Sequence, residues 1–332
     1  MSIARVPTLS LTLLTLLVTT SLGTACGDKD TPTDDTGATD GGATDGGATD
    51  DTGTTPVEPV WTSVSIETSS SITGVYAAAA TEAWITMSGG DVRLYQGASW
   101  TNLDVEVDDE DLNGLWGSGS GAAATVVAVG DAGHIAQWGS AGWDVEDLGT
   151  ANFESVDGPS SSDLVAVGWG GLYSNASGDW AYQNIDGNPR FNHVWYEGDV
   201  GAAVGEEGVL AIYSGGEWTV TQEEARRNFY GVSGTGVNDI YAVGEGGVVL
   251  RWDGSAWTDV SPGTGKSVWA VWAANASNVY IVGNGGLAMV RSNGEWVDLP
   301  TGTDKNLYAV HGTGVSDVWA VGGFGVALRY QP

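Results

Sequence analysis

Three histidines, His134, His193 and His311, and one cysteine, Cys26, are the only residues of their kinds in a chain of 332. Zinc sites draw ligands at short spacings such as H-x-x-x-H or C-x-x-C, and none is present. No serine sits in a G-x-S-x-G elbow, so acyl transfer has no nucleophile of that kind. The segment DEDLNG, residues 109–114, matches the first six positions of a D-x-D-x-N-G calcium loop. Its twelfth position is Ser120 where a bidentate glutamate is required. Calcium therefore has only a looser candidate site in Asp108, Asp109, Glu110 and Asp111, and no other cofactor is expected.

The elements that must position these residues are repeats. Strand-like segments open at Ile72, Leu112, Phe153, Phe191, Phe229, Val268 and Leu307, in steps of 40, 41, 38, 38, 39 and 39 residues. A period near 40 built only of strand and turn signals predicts a β-propeller with one four-stranded antiparallel sheet per repeat. In Phe229–Val260, FYGVSGT, IYAVG, VVLRW and AWTDV read as four strands, joined by GVND, EGG and DGS turns. The first five residues of each opening strand define positions one to five.

A V-G-x-x-G turn recurs in six repeats, and the first carries Met87 and Gly90 at those places. No helix follows it, so it reads as a strand connection rather than a phosphate cradle. Within DEDLNG, Leu112, Asn113 and Gly114 fall opposite Phe229, Tyr230 and Gly231, which makes them a strand start. Fourth strands carry Trp100, Trp143, Trp180, Trp218, Trp257 and Trp296. The seventh repeat ends after its third strand, and VWTSV (60–64), with Trp61, is the missing fourth. The fold class is thus all-β: seven blades, closed by an N-terminal strand that removes open edges.

Two groups of side chains could face a ligand. Arg190, Arg226, Arg227, Lys266 and Lys305 immediately precede the first strands of blades four to seven, where connections gather around the channel. The matching connections into blades two and three hold Asp108–Asp111 and then Glu146 and Asp147. That face is expected to be split, cationic over four blades and anionic over two. Guanidinium forks suit carboxylates and sulfates; scarce basic residues also simply offset acidity. At position five stand Tyr76, Trp116, Asp157, Trp195, Ser233, Trp272 and His311. Trp116, Trp195 and Trp272 beside Asp157 and His311 could stack on a sugar, or pack blade against blade. Both readings stay open on sequence alone.

Residues 1–25 read as an export signal, with Arg5 ahead of the apolar stretch Leu11–Leu22, which is too short to span a bilayer. Cys26 follows within GTACGD, resembling the lipobox of bacterial lipoproteins, although Gly23 stands where leucine is usual. The resemblance implies a lipidated Cys26; cleavage after Ala25 with a free thiol is the alternative. Residues 26–57 are rich in Asp, Thr and Gly, lack aromatics, and read as a disordered tether. Residues 58–332 form the propeller.

The stretch HGTGVSDVWAVGGFG (His311–Gly325) makes the repeats resemble bacterial propellers with W-x-V-W-G and D-V-W-A-V-G motifs and, more distantly, tectonin-type lectin repeats. The resemblance implies fold rather than ligand. A net charge of −31, with 11 basic residues, excludes a nucleic-acid binder and disfavours adsorption to anionic lipid. The expectation is an exported lipoprotein of the outer membrane or cell surface, monomeric, touching membrane only through its lipid. It would present one propeller face to a glycan or envelope protein without catalysis. The alternatives are a polysaccharide hydrolase or lyase using Asp157 as acid or base, and an assembly scaffold without a small ligand.

Overall fold

The computed structural model describes residues 59–107, 110–149 and 151–331. The expected export signal and tether, with Cys26, and Asp108 and Asp109 lie outside them. Among the described residues, twenty-eight strands form seven four-stranded antiparallel sheets. Blade one is β2 (Ile72–Ala79), β3 (Glu82–Met87), β4 (Val92–Gln96) and β5 (Trp100–Leu103). Blade two is β6 (Leu112–Ser118), β7 (Thr125–Gly130), β8 (His134–Gly139) and β9 (Gly142–Asp147). Blade three is β10 (Phe153–Ser160), β11 (Asp163–Gly168), β12 (Gly171–Ser174) and β13 (Ala181–Gln183). Trp180 therefore falls just before its fourth strand rather than inside it. Blade four is β14 (Phe191–Tyr196), β15 (Val200–Gly205), β16 (Val209–Ser214) and β17 (Glu217–Gln222). Blade five is β18 (Phe229–Gly236), β19 (Asp239–Gly244), β20 (Val249–Trp252) and β21 (Trp257–Asp259). Blade six is β22 (Val268–Asn275), β23 (Asn278–Gly283), β24 (Ala288–Ser292) and β25 (Glu295–Asp298).

Blade seven takes β26 (Leu307–Gly314), β27 (Asp317–Gly322) and β28 (Ala327–Gln331) from the C-terminal end and β1 (Val60–Ser63) from the front of the domain. The register is Val60 opposite Gln331, Trp61 opposite Tyr330 and Ser63 opposite Leu328. The Trp61 and Tyr330 rings lie 5.2 Å apart. The expected closure by the N-terminal strand is what the structure shows. Among the described residues no helix is long and apolar enough to cross a membrane.

Burial grades from the channel outward, and composition follows. Second strands such as DVWAVG are apolar on both faces because neighbouring blades cover both. Fourth strands alternate, with the tryptophan half-buried and its neighbours exposed. Position one is fully buried in every blade, each such side chain contributing roughly 1.5–3 kcal/mol. All seven second-to-third-strand turns hydrogen-bond to the residue just before position one, as in Ser88 N–H to Ser71 O, Glu206 N–H to Arg190 O and Gly323 N–H to Asn306 O. At Gly205 an added Cβ would collide with the Arg190 carbonyl oxygen, which explains the glycine of the V-G pair. Behind it Glu207 adopts a left-handed conformation, φ 51°, as Phe324 does at 57°.

Candidate binding site at the channel mouth

The residue before position one also ties neighbouring blades together. Asn152 Oδ1 accepts from Ala132 N–H, Asn228 Oδ1 from Glu207 N–H and Asn306 Oδ1 from Gly285 N–H, each in the preceding blade's turn. Asp111 stands at the same place, and its Oδ1 accepts from Gly89 N–H at 2.7 Å. Its carboxylate thus has a structural partner in the repeat. Among the described residues, no group of three or more His, Cys, Asp or Glu side chains is close enough to hold a metal ion.

Four of the five basic residues have carboxylate partners. Arg190 pairs with Glu206 at 3.8 Å and lies 4.7 Å above the Trp169 ring. Arg226 pairs with Glu207, and Arg227 grips Glu223 at 2.6 Å. Lys305 pairs with Asp304, and Lys266 Nζ donates to the Gly285 carbonyl. The cationic half-face is a row of local ion pairs, so its net field is weaker than the count of arginines and lysines implied.

Position five resolves into a rule linking each blade to the next. Where it is aromatic, position six of the following blade is glycine: Tyr76 faces Gly117, Trp195 faces Gly234 and Trp272 faces Gly312, and a Cβ on any of these would strike the ring. Trp116 obeys the same rule and donates its Nε1–H to Gly158 O at 2.7 Å. Where position five is polar, the next blade keeps a side chain at position six and donates its N–H instead. Tyr196 N–H reaches Asp157 Oδ2, Ala273 N–H reaches Ser233 Oγ, and Ala77 N–H reaches His311 Nδ1. These residues brace the blade seams, and Asp157, Trp195, Trp272 and His311 also show an edge to the channel. Burial pushes the Asp157 carboxyl up to about 7, against the pull of the Tyr196 and Gly158 N–H groups. Burial likewise lowers His311 to about 4.

The channel is a cavity of about 570 Å³ lined by first strands from all seven blades. Its mouth belongs to position two, which the sequence reading passed over. In every blade the register slips between positions one and three, leaving position two as an unpaired bulge. Such bulges re-aim a side chain out of the ladder. The ring reads Thr73, Asn113, Glu154, Asn192, Tyr230, Trp269, Tyr308 in blade order. Its polar members stitch seams: Thr73 Oγ1 donates to Leu112 O, Asn113 Nδ2 to Phe153 O and Asn192 Nδ2 to Phe229 O, at 2.6, 3.0 and 2.8 Å.

Its aromatic members form a wall. Tyr230 stacks on Trp269 at 4.3 Å and 27°, and Trp269 meets Tyr308 edge-on at 5.9 Å. Asn284 Oδ1 accepts the Trp269 Nε1–H at 2.7 Å and fixes that ring. Glu154 stands in blade three, across the ring from blades six and seven. No hydrogen bond or ion pair engages it among the described residues. Burial, with the charges of Asp131 and Glu206, raises its carboxyl to about 7. His193, beside Asn192, lines the same cavity; its Nδ1 is buried without a hydrogen-bond partner, and burial lowers it to about 4. The signal for this ring was present as a polar run followed by an aromatic run, readable only once the bulge is known.

The fold and this ring define a seven-bladed propeller with an asymmetric channel mouth. No protein-family model matches the chain, and no curated protein matches it. Solved structures do. YCF48 bound to a D1 peptide is similar at 14% identity and a TM-score of 0.67, covering 82% of this chain and 97% of that one. YCF48 from Cyanidioschyzon merolae is similar at 16% identity and a TM-score of 0.64, covering 82% and 99%. The WD40 propeller domain of Doa1 follows at 10% identity and 0.67, covering 82% and 97%. At these identities the likeness is one of fold.

Proposed function

We propose that the protein is a non-catalytic binding module of the cell envelope, exported and held to a membrane by lipid on Cys26. It offers the channel mouth to an envelope protein or its glycan. The observation that carries this reading is the position-two ring, which is polar in blades one to four and aromatic in blades five to seven. Aromatic faces ordered by stacking and a hydrogen bond give contact area at little entropic loss. A propeller of the same fold has been captured with a peptide bound, which favours a protein partner. The hydrolase alternative has Asp157 as its acid or base, and that carboxylate braces Tyr196 in the seam between blades three and four.

The test is capture from envelope extract and screening on a glycan array, with wild-type protein and a Trp269→Leu variant side by side. The reading expects capture that the variant loses. Capture undiminished in the variant would move the binding surface off the mouth. Labelling with radioactive palmitate, lost in Cys26→Ser, checks the anchor.

A further inference from the structure

The mouth carries a carboxylate where the repeat calls for a hydrogen-bond donor. Thr73, Asn113 and Asn192 at this position each donate to the next blade's first strand, whereas ionised Glu154 has nothing to donate. Glutamine would keep the shape and supply the donor. Glu154 is instead surrounded by its own sign: Asp131 from the blade-two turn and Glu206 from the blade-four turn both act on it. Glu206 also acts on Tyr230, so it links the acidic side of the mouth to the aromatic wall. The neighbouring cation, Arg190, lies on the Trp169 ring with Glu206. An unpartnered, largely buried carboxylate facing stacked aromatics is the arrangement that desolvated cations favour, through charge on one side and ring quadrupoles on the other.

We propose that the channel mouth binds a cationic side chain, the guanidinium or ammonium of an Arg or Lys displayed by a protein partner, between Glu154 and Glu206 and the Tyr230–Trp269–Tyr308 wall. This deepens the binding-module reading and rests on it. The chain's own charge of −31 draws such a partner in from a distance. A cation beside Glu154 favours its ionised form, so binding expels a proton and tightens as pH rises through about 7. The other groups facing this corner are Asp131, Glu206, Arg190, Glu245 beside Tyr230 and, along the cavity, Asp157, His193, Glu197 and His311. His193, lowered to about 4, is neutral throughout that range.

The experiment titrates the full chain with acetyl-Gly-Arg-Gly-Arg-Gly-amide and with its citrulline counterpart, which has the same shape and no charge. The arginine peptide is expected to bind saturably, with the citrulline peptide about tenfold weaker. Glu154→Gln and Glu206→Gln should each weaken the arginine peptide about fivefold or more, and Glu217→Gln, an exposed acid on the outer strand of blade four, should not. Calorimetry in buffers of different ionisation enthalpy should show proton release that Glu154→Gln abolishes. Equal binding of the two peptides, or equal weakening by Glu217→Gln, overturns the proposal. If the arginine peptide fails while envelope material or a neutral glycan still needs Trp269, the cation is wrong and the binding module stands. If no ligand depends on the mouth, both fall.

Discussion

The rim and the mouth of this propeller are made from the same repeat and treat it in opposite ways. At the rim, five of the seven blades pair the fourth-strand tryptophan with an aromatic directly across: Trp61 with Tyr330, Trp100 with Tyr95, Trp143 with Trp138, Trp218 with Tyr213 and Trp257 with Trp252. Their ring centroids lie 5.1–5.6 Å apart. Such cross-strand pairs are a stabilising unit of a sheet. At the mouth, seven equivalent bulges hold five residue types. Repetition marks what the fold needs in every blade, and divergence marks what only one side of the molecule needs.

The largest effect should come from opening the ring. Removing residues 59–64 strips blade seven of its outer strand and exposes β28 as an edge, so the melting temperature should fall by about 10 °C or more. Trp61→Ala alone should lose about 3 kcal/mol, read by denaturant titration. An unchanged transition would show that the rim pairing at the closure carries no load.

Next comes the seam between rim and mouth. Gly312→Ala places a methyl against the Asp317 carbonyl oxygen and the Trp272 ring and should destabilise by about 1–3 kcal/mol. Trp272→Ser in the same chain imitates the Ser233 solution used between blades five and six. Denaturant midpoints of the two single variants and the double should show a coupling of about 1 kcal/mol. Strict additivity would mean that positions five and six do not recognise each other.

The third effect depends on pH. Asp157 titrates near 7 in the native state against the ordinary carboxylate range in the unfolded chain. Between about pH 4 and pH 7 the native state therefore holds a proton that the unfolded state has lost, and this group's contribution to stability falls as pH rises. Asp157→Asn removes that slope. The melting-temperature difference between variant and wild type should move in the variant's favour across this window. His193 and His311, both lowered to about 4, give the opposite slope below about 6.5 and cancel in the comparison. A flat difference would place the Asp157 carboxylate in contact with bulk water.

The smallest effect is the most informative about the mouth. Glu154→Gln should raise stability by about 1 kcal/mol at pH 8, because it removes a crowded carboxylate and restores a donor, and the gain should shrink towards pH 5. A loss of stability in thermal melts would mean that Glu154 belongs to the scaffold like Asn113 and Asn192.

Much of the architecture was legible because strands and turns repeat with visible chemistry. The glycine pairs, the β-branched second strands and the rim tryptophans recur at fixed spacing, and the orphan VWTSV announced closure. The site was not legible in the same way. Position two has no consistent residue type, so nothing in its spacing distinguishes a bulge facing a channel from an ordinary strand residue. Position five stood out for its tryptophans and held seams together; its meaning lay in position six of the next blade, some forty residues on. Arg190, Arg226, Arg227 and Lys305 drew notice by their scarcity, and their partners Glu206, Glu207, Glu223 and Asp304 were hidden among 42 acidic residues.

The division between rim and mouth is tested most directly by measuring melting temperature and envelope capture together for Trp143→Ala and Trp269→Leu. The rim variant should melt several degrees lower and still capture its partner at the working temperature. The mouth variant should lose capture with a smaller change in melting. Loss of capture in the rim variant while it is folded, or full capture by the mouth variant, contradicts the assignment of binding to the channel mouth.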